Sequence, residues 1–172
     1  MDDTSKLNAS VLRLAPDGQD VFGYMPSDHQ EYGWLGLPIK LEYGFPGPKG
    51  YGYSHVVDYK PRIAQFKNLG FENFESFAFH VACNYSHIYC GKEAGRYQLA
   101  CHHPGYSYFI IVQSDAARKI WTITTGLPSR RIKEKEIWSR EGGGCETPPT
   151  ITEQNRHFTT LSLSPKSGAQ KQ

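Results

Sequence analysis

Residues 106–131, YSYFIIVQSDAARKIWTITTGLPSRR, determine how the rest of the chain is interpreted. The segment 108–112 is apolar at every position, as expected of a central β-strand that is buried on both faces. A polar turn over residues 113–119 follows. The segment 120–125 then combines apolar residues with three threonines, a composition typical of a paired strand. The stretch therefore predicts a β-hairpin that ends at hydroxyl and arginine side chains, where phosphate chemistry and an ordinary strand end are both open.

Two further strands are predicted immediately before this hairpin. Residues 88–90 form a short apolar segment, and residues 96–102 alternate, with Tyr97, Leu99 and Cys101 on one face and Arg96, Gln98 and Ala100 on the other. Residues 37–43 also alternate well enough to form a strand. Residues 132–140 are compatible with a short helix or an edge strand.

Helices are expected upstream of these strands. Asn73 is a favourable N-cap residue, and residues 74–85 carry apolar side chains at helical spacing. Residues 61–68 begin with Pro61 and precede a glycine, which favours a second helical segment. Ser54 is the expected cap of a short helix with His55 in its first turn. The predicted fold is α+β, with two to three N-terminal helices packed on a four-stranded antiparallel β-meander.

The chain length of 172 residues suits one domain. Residues 1–19 are polar and without pattern, so we expect a flexible leader there. Residues 20–140 form the predicted α+β domain. Residues 141–172 are expected to contain a loop, a weak edge strand over 156–164, and a tail.

Charge and cysteine content limit the possible functions. The net charge is only +2, but residues 118–140 contain seven Lys or Arg residues and two acids, a local basic character that attracts phosphates as readily as it forms a solvated surface. The start of the chain is polar, and no apolar run approaches membrane-spanning length, so we expect a cytoplasmic protein with free thiols and no membrane association. The four cysteines and the neighbouring His102 and His103 fit no familiar zinc spacing, so neither a metal nor a cofactor is expected.

Four segments carry a resemblance to a known group of proteins. GYGYSHV at 50–56, the helix at 74–84, IYCGKEAGRYQL at 88–99 and WTITTGLP at 121–128 occur in this order. Together they resemble the phage Barnase–EndoU–Colicin–RelE-like (BECR) nuclease and toxin families over about half the chain. The resemblance implies a BECR-like fold and metal-independent cleavage of RNA by attack of the ribose 2′-hydroxyl. It also departs from the families, because the second histidine that many members carry shortly after the first is missing here.

The resemblance assigns catalytic roles to three residues. His55 becomes the general base or acid, since an imidazole titrates near neutral pH. Arg96 becomes the phosphate clamp, since a guanidinium donates two parallel hydrogen bonds. Thr125 binds a phosphate oxygen, and Thr124 is expected on the opposite face of the strand. The alternative explanations are a first-turn helix histidine that bonds to the backbone for His55, an exposed hairpin-end arginine for Arg96, and the β-propensity of threonine for Thr124 and Thr125.

A wider set of residues is expected to contact RNA or to stand in reserve. The expected contacts with RNA are Lys60, Thr124, Ser129, Arg130 and Arg131. His80 is a reserve acid, or a structural residue. Tyr51 and Tyr53 are expected to stack on bases or to pack within their loop, and His102 and His103 to face solvent at a turn.

Three functional hypotheses follow. The first is an endoribonuclease, a toxin or phage effector that acts on cytoplasmic RNA such as tRNA, in its own cell or in a target cell, with an immunity or antitoxin protein as partner. The second is a noncatalytic module that binds nucleic acid or protein on the same fold, favoured by the missing histidine. An ADP-ribosyltransferase ranks lower, since no nicotinamide-binding arrangement is recognisable.

Overall fold

The computed structural model describes residues 9–27, 32 and 34–140. The strands in these ranges are β1 (Gly23–Tyr24), β2 (Pro38–Lys40), β3 (His87–Cys90), β4 (Arg96–His103), β5 (Tyr106–Asp115), β6 (Ile120–Ser129) and β7 (Glu136–Ser139). The helices α1 (Gly52–Asp58), α2 (Lys60–Asn68) and α3 (Phe74–Asn84) lie between β2 and β3. None of the described helices is both long enough and apolar enough to cross a membrane.

All seven strands join one curled sheet in the order β1-β2-β6-β5-β4-β3-β7, which forms a half-barrel. Neighbouring strands are antiparallel except β2 and β6, which are parallel and align Ile39 with Trp121. The prediction of a four-stranded antiparallel meander is therefore wrong. Strands β3 to β6 are antiparallel neighbours, but β1, β2 and β7 extend the sheet on both sides. Of these added strands, β2 lies within the predicted strand 37–43 and β7 within the segment 132–140, but their pairing with the meander was not predicted.

Helix α3 covers one face of the sheet. Its N-cap is Asn73, whose Oδ1 accepts a hydrogen bond of 2.9 Å from the backbone N–H of Ser76, so the predicted cap is confirmed. Phe74, Phe77 and Val81 are completely buried. They belong to one core cluster with side chains of β4, β5 and β6, including Leu99, Ile110 and Ile123. This packing leaves the opposite sheet face available for a cleft.

The predicted leader is largely part of the domain where the structure describes it. The backbone N–H of Arg13 donates to the carbonyl of Leu41, and that of Tyr43 donates to Val11. The Arg13 side chain donates to Glu75 on α3 and to the hydroxyl of Tyr43 at 2.6 Å. Residues 9–19 are therefore held against α3 and the segment that follows β2 rather than free.

The segment after β6 returns to the other edge of the sheet. Residues 136–139 form β7 and pair antiparallel with β3, so the edge-strand alternative for this region is confirmed and the helical one is wrong. The loop, the edge strand and the tail expected over residues 141–172 lie outside the described part of the chain.

Candidate functional site

A cleft of about 440 Å³ lies on the sheet face opposite α3. Its walls come from the loop that precedes α1, from β4, β5 and β6, and from the segment that follows β6. The charged residues that line it are Lys92, Arg96, Arg131, Lys133, Glu93 and Glu134. These four cations and two carboxylates give the described lining a net positive charge even when His55 is neutral. Positive walls around a concave site favour an anionic ligand.

Cross-strand pairing sets the order of side chains across the cleft floor. Gln98 on β4 pairs with Ile111 on β5, and Ile111 pairs with Thr125 on β6. Arg96 lies two residues before Gln98 and therefore points to the same face. All four side chains line the cleft, so the sheet itself brings the arginine and the threonine into one site.

A β-bulge in β6 changes the expected direction of one threonine. Ile111 pairs with Thr125, whereas Val112 pairs with Ile123, so Thr124 is an extra residue between them. In a bulge, two successive residues oppose a single residue of the neighbouring strand. Thr124 and Thr125 both line the cleft, and the expectation that they point to opposite faces is therefore wrong. Two adjacent hydroxyls enter the site where regular alternation allows one.

His55 reaches the same cleft from α1, where its side chain is half-buried. Its Nδ1 lies 2.8 Å from the carbonyl oxygen of Gly47. A carbonyl oxygen only accepts, so Nδ1 carries the proton and donates, and the lone pair is on Nε2. Neutral His55 is thus held in the tautomer that has a basic Nε2.

A tight turn holds the carbonyl that orients His55. The N–H of Gly50 donates to the same Gly47 oxygen at 2.9 Å, and the N–H of Gly47 donates to a carboxylate oxygen of Asp58 at 3.1 Å. The φ angle of Gly47 is +88°, a region that favours glycine. A Cβ atom at Gly50 would lie 2.0 Å from the carbonyl oxygen of Phe45, so a side chain does not fit there. The two glycines of the turn at residues 47–50 thus allow the backbone geometry that presents the Gly47 carbonyl to His55.

Helix α1 begins earlier than predicted. Tyr51 is its N-cap residue and makes no side-chain cap bond, and Ser54 lies inside the helix, so the prediction of Ser54 as the cap is wrong. The N–H groups of Tyr53 and Ser54 donate to the carbonyls of Glu42 and Tyr43 at 2.9 and 2.8 Å. Backbone carbonyls thus replace the side-chain cap and tie α1 to the segment after β2.

Arg96 already has partners at the edge of the cleft. Its Nε donates to the side-chain oxygen of Gln113 at 3.1 Å, and Nη1 lies 3.2 Å from a carboxylate oxygen of Glu93. The side chain is 35% exposed, and Glu93 is 64% exposed. The Arg96–Glu93 pair is therefore weak and open to solvent, and the guanidinium remains accessible to an anion from the cleft.

Sequence reasoning missed a second arginine at this site. Arg62 on α2 donates from Nη1 to the hydroxyl oxygen of Thr125 at 3.1 Å. Its Nε is buried without a hydrogen-bond partner, and no carboxylate pairs with it among the described residues. Burial lowers the pKa of Arg62, and nearby Tyr59 opposes this effect. Because Thr125 accepts from Arg62, its own proton is available to a ligand in the cleft.

The predicted RNA contacts divide into two groups. Thr124, Ser129 and Arg131 line the cleft, and the hydroxyl of Ser129 bonds to the backbone of Arg131. Lys60, at the start of α2, and Arg130 are exposed and do not line it. Two further cations line the cleft. Lys133 lies in the basic segment 118–140, and Lys92 lies between β3 and β4, where no sequence pattern connected it to the site.

The remaining aromatic candidates also separate. Tyr51 lines the cleft, and burial, followed by the Glu42 carboxylate, raises its pKa. Tyr53 packs against Tyr43 and lies under the Arg13 guanidinium, 4.2 Å from its ring centroid, and is not a lining residue. Of this pair, only Tyr51 is placed to contact a ligand.

The other histidines lie elsewhere in the described structure. His80 is buried between Phe71 and Tyr108, in packing rather than in the cleft. His102 and His103 are half-buried in β4, so the expectation that they face solvent at a turn is wrong. His102 hydrogen-bonds to Ser107 at 2.6 Å and to the hydroxyl of Tyr89 at 2.7 Å.

Metal-ligating side chains do not cluster in the described residues. No group of three or more His, Cys, Asp or Glu residues in these ranges is arranged to hold a metal ion. Cys83, Cys90 and Cys101 are free thiols, and Cys145 lies outside the described residues.

The chain matches no protein-family model, no curated protein and no solved structure. The resemblance to BECR nucleases therefore stays a prediction from four sequence segments.

Proposed function

We propose that the cleft binds a phosphodiester of RNA and cleaves it with side chains alone, as an endoribonuclease. The observation that supports this proposal is the convergence of His55, Arg96, Thr124 and Thr125 on one cleft. Cleavage by the ribose 2′-hydroxyl needs a base for that hydroxyl and donors for the charged phosphorane. These are the groups that the four side chains supply.

In this proposal the reaction begins at His55. Its Nε2 removes the proton of the 2′-hydroxyl, and the 2′-oxygen attacks the adjacent phosphorus. The bond from phosphorus to the 5′-oxygen breaks, leaving a 2′,3′-cyclic phosphate and a 5′-hydroxyl. Arg96 and the Thr125 hydroxyl donate to the non-bridging oxygens as their charge grows, while Thr124 lines the same wall and donates to the carbonyl of Ile111.

The leaving 5′-oxygen also needs a proton. No second histidine lines the cleft in the described residues, so water delivers this proton in our proposal. Loss of a positioned general acid reduces the rate by a factor of about 10² to 10⁴. We therefore propose a slow nuclease with a cellular RNA such as tRNA as substrate. We also propose that an acidic immunity or antitoxin protein blocks the positive cleft.

A noncatalytic role of the same cleft is the second candidate. It is favoured by the missing second histidine and by Arg96, whose Nε and Nη1 already have protein partners. In that case the cleft binds the nucleic acid, and His55 acts as a hydrogen-bonding residue.

The two candidates are separated by incubating purified protein with total RNA in the presence of EDTA. We expect cleavage products that end in 2′,3′-cyclic phosphate, and their loss in His55→Ala. His87→Ala is the matched control, because His87 lies outside the cleft and bonds to Ser86. Cleavage that persists in His55→Ala contradicts the proposed base. RNA binding without cleavage by the unmodified protein supports the second candidate.

A further inference from the structure

Gln98 is a buried polar side chain with an unused hydrogen-bonding group. The residue is only 5% exposed and lines the cleft floor at the centre of β4. Among the described residues its carboxamide has no hydrogen-bond partner. It is also not one of the buried polar atoms that are sealed from solvent without a partner. The carboxamide therefore opens into the cleft, with its donors and its acceptor free.

The neighbouring buried polar side chains are satisfied within the protein. Thr122 and Thr124 donate to the carbonyls of Gln113 and Ile111 at 3.4 and 3.2 Å, and Ser107 bonds to His102. The Gln98 carboxamide has no such partner within the protein, so its hydrogen bonds are left to water or to a ligand in the cleft. The exception at Gln98 points to a partner outside the chain.

The surroundings of Gln98 are suited to a flat, mostly apolar ligand. On the cleft floor it is flanked by Ile111, and the next row of the sheet contributes Phe109 and Leu127. Phe109 is buried and Ile111 and Leu127 are partly buried, and all three belong to an apolar cluster separate from the main core. A planar ring resting on them would place its polar edge beside the carboxamide.

Distance separates this polar group from the phosphate-binding hydroxyl of Thr125, whereas the long Arg96 side chain starts two residues away on the same strand. Gln98 and Thr125 are two strands apart, with Ile111 between them. Adjacent strands are about 4.8 Å apart, so the two residues are separated by about 10 Å. This span is comparable with the distance from the phosphate of a nucleotide to the far edge of its base.

We propose that Gln98 recognises the base of the nucleotide whose phosphate binds at Arg96 and Thr125. The carboxamide offers a donor beside an acceptor, which matches the polar edge of a nucleobase. The inference rests on the proposed function, because it takes the ligand of the cleft to be RNA. It assigns Gln98 to substrate specificity and leaves the proton transfer to His55.

The inference is tested by binding, without any need for cleavage. The probes are the four nucleoside 3′-monophosphates and ribose 5-phosphate, titrated into the full chain and followed by NMR or calorimetry. We expect at least one nucleotide to bind about tenfold more tightly than ribose 5-phosphate, since its base forms a hydrogen bond with a carboxamide that has no partner within the protein. Gln98→Met, which keeps the length and removes the amide, is expected to abolish this difference and to retain ribose phosphate binding.

Two further variants serve as a second test of the carboxamide and as a control for unspecific effects of a Gln-to-Met change. Gln98→Glu keeps the shape and removes the donors, so we expect it to change the order of preference among the four nucleotides. Gln65→Met, on an exposed face of α2 outside the cleft, is the control and should behave as the unmodified protein. Thermal unfolding of each variant shows whether it is folded.

Each outcome distinguishes this inference from the proposed function. Equal affinity for all nucleotides and ribose phosphate, or unchanged preferences in Gln98→Met and Gln98→Glu, overturns the role of Gln98 even when RNA is cleaved. Base-dependent binding that is lost in Gln98→Met supports that role even when no RNA is cleaved.

Discussion

Arg13 and Arg62 are both partly buried, yet the same substitution should lower the stability of the fold at Arg13 and weaken phosphate binding at Arg62. Arg13 pairs with Glu75, donates to Tyr43 and lies 4.8 and 4.2 Å from two tyrosine ring centroids. Arg62 makes one hydrogen bond to the protein, the 3.1 Å bond to Thr125, lies 5.7 Å from the ring centroid of Tyr59, and has a buried Nε without a partner. We therefore compare Arg13→Met with Arg62→Met.

The expected magnitudes follow from what each substitution leaves behind. Arg13→Met leaves the Glu75 carboxylate, whose side chain is 10% exposed, without its cation. Breaking one side of a buried ion pair costs about 3–5 kcal/mol, and the partial exposure of Arg13 places our expectation at about 3 kcal/mol. Arg62→Met loses one hydrogen bond from a charged donor, about 1.5–3 kcal/mol, and removes an unsatisfied donor that costs about 1–3 kcal/mol. These two contributions nearly cancel, so the change should stay within about 1 kcal/mol.

Urea denaturation measures the difference. With a slope of about 1–3 kcal/mol per molar urea, Arg13→Met should lower the midpoint by about 1–3 M, and Arg62→Met should hardly move it. In phosphate titrations the order reverses. Arg62→Met should weaken binding about tenfold, because Thr125 then loses the donor that directs its hydroxyl toward the cleft. A loss of 3 kcal/mol in Arg62→Met with unchanged phosphate affinity would falsify this reasoning and make Arg62 a structural residue.

Three further predictions concern stability. Burial, and then the Glu136 carboxylate, raise the pKa of Tyr89 to about 12. Above pH 10 the unfolded chain therefore releases a proton that the folded chain keeps, and the free energy of unfolding should fall by about 1 kcal/mol by about pH 11. Urea denaturation at about pH 9 and about pH 11 measures this loss, which should be absent in Tyr89→Phe. Asn73→Ala removes the N-cap of α3 and should cost about 1 kcal/mol in thermal unfolding, whereas an unchanged melting temperature contradicts the capping role. Gly126→Ala places a Cβ atom 3.1 Å from the Phe74 ring and should cost about 1–3 kcal/mol by urea denaturation, with a neutral result indicating that α3 can move away.

Local patterns were sufficient for the central elements. The apolar run of β5 and the N-cap at Asn73 each depend on neighbours within a few residues, and the structure has both where the pattern placed them. Pairing of β2 with β6 depends on residues far apart in sequence, and no local pattern specifies it. The sheet was therefore predicted too small and entirely antiparallel.

The site shows the same division between local and distant information. Alternation correctly grouped Arg96 with Gln98, but nothing local indicated that Gln98 would be buried without a partner. The bulge at Thr124 was not predictable from β-propensity, because a strand with one extra residue has the same kinds of amino acids as a regular strand. Arg62 reaches Thr125 only through the packing of α2 beside β6, a tertiary contact between residues 63 positions apart.

The parallel pairing of β2 with β6 has a consequence for the order of folding events. Ile39 and Trp121 are about 80 residues apart, so β1 and β2 can join the sheet only after β6 has formed. During synthesis from the N-terminus, β2 would leave the ribosome long before its partner exists. Helix α1, which carries His55, lies in the chain segment between these two strands. Assembly of the cleft is therefore a late step of folding, and a growing chain would not display it until the domain is nearly complete.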